Sequence, residues 1–363
     1  MQEDDAQDVG TGPPAVSDAS PQTPFWPFQE PFDIDRLRRE QKIRQRKEWR
    51  SIVTKLGALC TITLAIYLAV ALAVLIFVSP EVVVELLDSD ANRSDSIFII
   101  TPEVTPLFRI SGLTLVLFFG AMVAAILASY GLIAWRSRKD FPLELLEGKS
   151  DRASAIFAAG TLFIAILFFT QVFYLLANFG GADPNVPPFD EEMWQKVYMF
   201  TKASVWEEVI SRVLLIGVPL LIIDFLFRKE RMRAPANYLF GGKFKLEAVE
   251  SLVILFSSIM FALAHLEGWD IWKTVPSGLA GLCSGFLFVR YGLYAAIFFH
   301  FAFDFLSIPV DFFDSIVLSL PLSFLILAWL ACGAVFFVIY AKRLFVFVRR
   351  GMLSVIRPMP ERQ

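Results

Sequence analysis

The sequence contains few cysteines and few histidines. Its three cysteines, Cys60, Cys283 and Cys332, are spread over 363 residues, and each lies within an apolar run. They form no CxxC spacing, so the sequence indicates neither a cysteine-bound zinc site nor a disulfide framework, and we interpret them as small packing residues. Only two histidines occur. The HExxH motif of helix-borne zinc proteases is absent.

Long apolar runs dominate the remainder of the chain. Hydrophobic residues make up 56% of the sequence, and the mean hydropathy is +0.58. Runs of about eighteen or more apolar residues recur, each long enough to cross a hydrocarbon core of about 30 Å as a helix. Because the runs are continuous rather than alternating, we expect helices and not a β-barrel.

The predicted fold is therefore all-α, a polytopic membrane protein with about eight transmembrane helices around an intramembrane polar cavity. Basic loops at 136–152 and 228–247 alternate with acidic loops at 80–108 and 178–195. Lys and Arg favour cytoplasmic loops, so we expect both termini to be cytoplasmic. We also expect a multi-pass protein of the plasma membrane. The predicted spans are 56–79, 110–135, 153–177, 203–227, 248–266, 275–290, 293–309 and 319–341.

The segments outside the spans differ in composition. Residues 1–32 are rich in Asp, Pro and Ser, which predicts a disordered tail. The basic segment 35–50 directly precedes a span, which favours contact with the lipid bilayer over the alternative of nucleic-acid binding. No cleavable signal peptide is expected, because the first apolar run begins near Gly57. The predicted regions are 1–50, a membrane domain at 51–345 with a protease-like core at about 200–310, and a basic cytoplasmic tail at 346–363.

Charged residues inside the predicted spans carry the strongest functional signal, because a charge in the membrane costs several kcal/mol. Glu208 and Arg212 are four residues apart on one helix, so they can form an ion pair. Glu207 lies about 100° around an α-helix from Glu208 and lacks that partner. The structural alternative is a pair that only neutralises itself, or a helix end at the interface.

Both histidines also fall within predicted spans. Phe261 precedes His265 by one turn and can wall its ring, and Asp304 follows His300 by one turn and can contact it. In the predicted topology these groups share one level of the bilayer with Glu207, toward its outer half. Unrelated polar residues would have no reason to align in this way.

These residue types suit hydrolysis. A glutamate in a low-dielectric pocket can act as a general base toward water, with a histidine as helper. A second histidine can donate to a developing oxyanion. The same groups can instead hold a divalent metal such as zinc, so the requirement for a cofactor stays open. The candidate metal ligands are Glu207, His265, His300 and Asp304.

The motifs EExxxR, FxxxH and HxxxN/D follow one another on successive hydrophobic helices over about 200–304. In this order they resemble the CAAX protease and bacteriocin-processing (Abi) family, which includes the Ras-converting CAAX prenyl endopeptidases. The resemblance implies a membrane-embedded endopeptidase, either glutamate-type or a metalloprotease. Its expected partner is a membrane-associated protein or peptide substrate, prenylated or not.

The resemblance also implies roles for individual residues. Glu207 matches the family's water-activating glutamate and His265 its helper, while His300 and Asp304 match the oxyanion pair. The prenyl endopeptidases typically carry Asn at the last position, and an ionised Asp would repel an oxyanion. Asp304 must therefore be protonated, orient His300 or bind a metal. The residues in supporting roles are Glu208, Arg212 and Phe261.

Two functional questions stay open at this level. CAAX tails are cytosolic, whereas the predicted topology places the site toward the outer half of the membrane. An inverted orientation, a deep cavity that opens inward, or a different substrate would resolve the conflict. The alternative functions are a proton-coupled transporter, because intramembrane Glu, His and Asp also relay protons, and a non-catalytic scaffold of the same family.

Overall fold

The computed structural model describes most of the membrane domain. The predicted tail at 1–32 lies outside the described residues, as does much of the acidic loop predicted at 178–195. The chain divides into two compact units between Glu48 and Trp49. The described residues are 34–88, 93–100, 103–149, 153–182, 184, 191–266 and 271–356.

The described residues are predominantly helical, as predicted. The segment Met193–Phe227 joins α-helix to π-helix in one continuous run, and it carries the EExxxR motif. The α-helices are α1 Ile34–Leu87, α2 Gly112–Ser137, α3 Ala155–Phe179, α4 Met193–Lys202, α5 Val218–Phe227, α6 Pro235–Phe240, α7 Ala248–Ala264, α8 Ile271–Arg290, α9 Leu293–Asp304, α10 Ile308–Phe313 and α11 Ile316–Ile356. The other helical turns are the π-helices Leu143–Glu147, Ala203–Glu207 and Val209–Gly217 and the 3-10 helix Lys229–Arg231.

Among the described residues, five helical stretches are long and apolar enough to cross a membrane. This finding confirms a helical membrane protein, but it does not confirm the predicted count of eight spans. Three predicted spans correspond to α7, α8 and α9, which are not among the five, and α7 has 17 residues and α9 has 12. The five stretches are Asp35–Leu87, Gly112–Ser137, Ala155–Phe179, Met193–Phe227 and Ser319–Arg349.

A β-hairpin occupies part of the segment that the sequence predicts to be an acidic loop at 80–108. Strand β1, Ser94–Ile100, pairs antiparallel with β2, Val104–Ser111, with a bulge at Ile97 and Phe98. The β-branched and aromatic residues of these strands favour extended backbone. Their sequences, SDSIFII and VTPLFRIS, do not alternate strictly between apolar and polar residues, so periodicity does not separate them from a loop.

The hairpin is fastened to the helix that carries the EExxxR motif. The Asp95 carboxylate accepts hydrogen bonds from the Tyr198 hydroxyl and from Lys202 Nζ, the latter at 2.5 Å. The indole Nε1 of Trp206 donates to the backbone carbonyl of Phe98 at 3.0 Å. These contacts hold β1 beside the residues that immediately precede Glu207.

Helix α9 lies in the hydrophobic core and carries the HxxxD motif. Most of its side chains are buried, so it contacts protein rather than lipid along most of its length. Gly292, at φ 126°, separates it from α8 in a backbone region that favours glycine. Helices α7 and α8 approach closely, because a Cβ at Gly285 would lie 2.9 Å from a methyl group of Ile254. The buried residues of α9 are Tyr294, Ala295, Ala296, Ile297, Phe298, Phe299, Phe301 and Ala302.

Candidate active site

The helix that carries Glu207 and Glu208 is irregular. It begins at Met193 rather than near the predicted start at residue 203, and it changes to π-helix over Ala203–Glu207 and again over Val209–Gly217. Wider π-helical turns are rare and frequently lie at functional sites. The angular separation predicted from α-helical geometry therefore does not hold in this segment. The two glutamates lie where the two π-helical turns meet.

Glu208 and Arg212 form a fully buried ion pair. Arg212 Nε lies 2.8 Å from one carboxylate oxygen of Glu208 and Nη2 lies 3.1 Å from the other. The two side chains are 1% and 0% exposed. Arg212 also donates to the hydroxyls of Ser257 and Ser284. A buried ion pair is tolerated when its remaining donors are satisfied in this way, so the charge of Glu208 is matched within the protein.

His300 is surrounded by carboxylates. Its Nδ1 lies 3.0 Å from Glu208 Oε1, and because a carboxylate only accepts, Nδ1 is the donor. Its Nε2 lies 3.4 Å from Asp304 Oδ2 and 4.0 Å from Glu207 Oε2. The Ser204 hydroxyl donates to the same Asp304 oxygen at 2.7 Å. His300 is thus oriented through one nitrogen and presents the other to Glu207 and Asp304.

His265 caps the C-terminus of α7. Its Nδ1 lies 2.8 Å from the Phe261 carbonyl oxygen, which only accepts, so Nδ1 carries a proton. In a neutral ring the other nitrogen, Nε2, is then an acceptor. The Phe261 ring lies 4.7 Å from the His265 ring and 5.9 Å from the His300 ring, between centroids. The Arg212 guanidinium carbon lies 5.3 Å from the same ring, so Phe261 contacts all three groups.

Two cavities meet at this cluster. Glu207, His265, His300 and Asp304 line a cavity of about 780 Å³, whose wall also includes β1 and α4. The Glu207 side chain is 22% exposed, whereas that of Glu208 is 1% exposed. A second cavity, of about 240 Å³, also touches His265, His300 and Asp304. Its apolar wall is formed by Ile166, Leu167, Pro276, Ala280, Phe299 and Phe303.

Two residues of this site were not predicted from the sequence. Ser204 binds Asp304, and its only sequence signal is its place one helical turn before Glu207 and Glu208. Lys273 lines both cavities. It was excluded because the predicted sixth span began at residue 275, whereas α8 begins at Ile271. The hairpin contributes a third part of the wall that no motif indicated.

The candidate metal ligands do not fit a metal ion as they are placed. Among the described residues, no three His, Cys, Asp or Glu side chains are arranged to hold one. His300 Nε2 lies 3.4 Å from Asp304 and 4.0 Å from Glu207, but these groups do not form a set of three that could hold one ion. The other nitrogen of His300 is occupied by Glu208. We therefore derive no catalytic step through a metal.

The segment that carries this site matches a known protein family. Residues 189–306 match the family of type II CAAX prenyl endopeptidases described as Rce1-like. The resemblance predicted from the three motifs is thereby confirmed. The matched segment contains every motif residue, whereas the hairpin lies outside it. The matched family is one of proteases, which supports an integral membrane protease. No curated protein and no solved structure matches the chain.

Proposed function

We propose that this chain is an intramembrane endopeptidase that hydrolyses a peptide bond in a membrane-associated protein, prenylated or not. One observation carries the proposal: two adjacent glutamates have opposite environments. Glu208 is buried against Arg212 and His300, whereas Glu207 faces a cavity. A base that activates water must reach both the water and the substrate, and Glu207 meets this condition. The family match over 189–306 supports peptide hydrolysis as the reaction.

Glu207 acts as the general base toward a water molecule in the larger cavity. His265 supports it, since the bond from Nδ1 to the Phe261 carbonyl leaves Nε2 of a neutral ring free to accept a hydrogen bond from the same water. The water oxygen attacks the scissile carbonyl carbon, and its proton passes to Glu207. Two acceptors around one water orient its lone pair toward the substrate and make it more nucleophilic.

His300 stabilises the oxyanion that forms from the scissile carbonyl. Glu208 fixes the ring through Nδ1, which leaves a protonated Nε2 to donate to the negative oxygen. The proton held by Glu207 is then delivered to the leaving amine, and the C–N bond breaks. Asp304 receives the Ser204 hydroxyl and lies 3.4 Å from His300 Nε2. This geometry supports the role of orienting His300, among the three that the sequence left open.

The two cavities suit a peptide that passes the cluster in an extended conformation. The larger, at about 780 Å³, falls within the size range of ligand sites, and many of the residues that line it are polar or charged. The smaller, mainly apolar cavity can take an apolar group next to the scissile bond. We also propose the plasma membrane as the location. The distribution of basic loops supports cytoplasmic termini.

The experiment is a cleavage assay on the purified protein in lipid, with a library of apolar and prenylated peptides. We expect Glu207→Gln to lower the rate about 10²–10⁴-fold, the usual effect of a lost general base. Glu230→Gln, at an exposed position outside both site cavities, should cleave at the wild-type rate. Wild-type rates in folded Glu207→Gln protein would refute the assignment.

A chelator arm belongs to the same assay. We expect cleavage to continue after exhaustive treatment with a zinc chelator, because the proposed base and oxyanion donor are side chains. Loss of activity on chelation and recovery on addition of zinc would contradict this mechanism. It would reassign Glu207 and the histidines as metal ligands that move together when the ion binds.

A further inference from the structure

One residue outside the three motifs lines the same two cavities as the site residues. Among the described residues, those that line both cavities include three motif residues, His265, His300 and Asp304. Lys273 is the remaining member of this shared set. It lies in the first turn of α8, which begins at Ile271. Its side chain therefore reaches the point where the two cavities meet.

A further cation would stabilise the ionised forms of the carboxylates that remain in the site. Arg212 binds Glu208 through two hydrogen bonds and is fully buried, so its charge is committed to that carboxylate. Glu207 and Asp304 then remain on the other side of His300. Two carboxylates in a low-dielectric pocket repel each other and cost free energy unless positive charge lies nearby. One imidazolium cannot balance both while it also serves Glu208.

Lys273 supplies such a charge. It lines both cavities together with Asp304, and Glu207 lines the larger cavity with them, so its ammonium group is attracted by both carboxylates. A cation in the same cavity stabilises the ionised Asp304 carboxylate and offsets the repulsion that its charge would exert on an oxyanion. The carboxylate can then accept from Ser204 and hold His300. A protonated Asp304 would hold the ring more weakly, because the neutral carboxyl group lacks the negative charge that attracts a protonated imidazole.

We infer that Lys273 is a positioning residue that balances the charge of Asp304 and so keeps His300 oriented. The electrostatic pairing stands independently of any catalytic activity. Its effect on the reaction rate rests on the proposed endopeptidase function. The test therefore has one arm that needs no substrate and one that does.

The first arm is a double-mutant cycle on thermal unfolding of the purified full chain in detergent. We expect Lys273→Met to lower the unfolding midpoint in the wild-type background and to have little or no effect in the Asp304→Asn background. Contacting charged residues show this non-additivity, whereas independent sites do not. Additive effects of the two substitutions would overturn the pairing.

A matched lysine provides the control for this arm. Lys196, on α4, lies 3.5 Å from Asp311 and lines neither cavity of the site. Lys196→Met should lower the midpoint equally in the wild-type and Asp304→Asn backgrounds. If Lys196→Met also failed to add to Asp304→Asn, the non-additivity would reflect general loss of positive charge and the inference would fall.

The second arm measures cleavage. We expect Lys273→Met to lower kcat about tenfold with little change in KM, because it disturbs the orientation of His300 and not substrate binding. Lys273→Arg, which keeps the charge, should retain most of the activity. In the Asp304→Asn background Lys273→Met should cause no further loss. A further tenfold loss there would show instead that Lys273 contacts the reacting atoms.

The two arms separate failure of this inference from failure of the proposed function. If the wild-type protein cleaves no peptide of the library, the endopeptidase proposal fails, and the unfolding cycle still decides whether Lys273 and Asp304 are coupled. If the wild type cleaves but the cycle is additive, only the role of Lys273 is wrong.

Discussion

Two groups of charged side chains lie buried in the membrane domain, and they differ in how fully their charges are matched. The first surrounds Asp224, which is 0% exposed. Arg228 Nη2 lies 2.6 Å from one of its oxygens, and Arg233 Nη1 and the Tyr238 hydroxyl contact the other at 3.2 Å and 2.7 Å. The Glu250 carboxylate accepts a hydrogen bond from the same Arg228 Nη2 at 3.1 Å. Neither carboxylate lines the cavities of the site.

The second group is the candidate site. It contains an equally well matched pair, Glu208 with Arg212, but Glu207 and Asp304 beside that pair face a cavity. Under the proposed function, a buried charge alone does not mark the active site of this protein. What distinguishes the candidate site is a carboxylate that lies next to a buried ion pair and also faces a cavity. This distinction yields three predictions beyond those already given.

The largest expected difference between the two groups is the side of the membrane that each approaches. The predicted topology places the Asp224 group toward the cytoplasm and the site toward the outside. With the three native cysteines replaced by serine, a cysteine at exposed Lys229 should react with a membrane-impermeant maleimide only from the cytoplasmic side. A cysteine at exposed Glu103, between the hairpin strands, should react only from outside.

The reversed labelling pattern would show that the orientation is inverted. The site would then open toward the cytosol, where CAAX tails are found, and the conflict between topology and family substrate would disappear. Labelling at Lys139, which is exposed just after α2, offers an independent check of the same face as Lys229. Ser137 does not serve for this purpose, because it is buried at 1% exposure.

The second prediction compares the two groups by stability. Arg212→Ala strands Glu208 in the protein interior, and breaking a buried ion pair costs about 3–5 kcal/mol. Asp224→Asn should cost less, because Arg228 keeps Glu250 and the Arg233 side chain is 20% exposed to solvent. The measurement is the unfolding midpoint of each variant in detergent.

Substitutions in the two groups should also differ in their effect on the cleavage rate. Asp224→Asn protein that remains folded should cleave at the wild-type rate per folded molecule, since Asp224 lines neither cavity of the site. Arg212→Ala should lose activity together with stability, because Glu208 and His300 lose their fixed geometry. A catalytic defect in folded Asp224→Asn protein would mean that the first group also has a functional role.

The sequence could predict the matched pair but not the environment around it. Four-residue spacing and the cost of intramembrane charge are enough to pair Glu208 with Arg212. The π-helical turns have no comparable sequence signal, because they depend on how the whole segment packs. The helix start at Met193 was missed, since Gln195 and Lys196 interrupt the apolar run on which the span was predicted.

The span count shows a related limit. Hydropathy finds apolar segments, but it does not distinguish a helix that crosses lipid from a short one surrounded by protein. Helix α9 has 12 residues and is mostly buried, yet its composition equals that of a span. Lys273 was missed for the converse reason, because a charged residue at the edge of an apolar run is normally assigned to the loop.

The smallest predicted effect concerns the hairpin, which lies outside the family match and walls the larger cavity. Trp206→Phe removes the hydrogen bond to the Phe98 carbonyl at 3.0 Å and keeps a ring for the edge contact with Phe118. One lost hydrogen bond costs about 0.5–1.5 kcal/mol. Because Trp206 directly precedes Glu207, we expect a loss of about threefold to tenfold in kcat/KM as well, since 1.4 kcal/mol corresponds to about tenfold.

Trp329→Phe is the matched control: its indole donates to Thr63 at the same 3.0 Å, and it lines neither cavity. Both variants should lose similar stability, and only Trp206→Phe should lose activity. Equal activity in the two variants would show that the hairpin encloses the cavity without holding Glu207 in place.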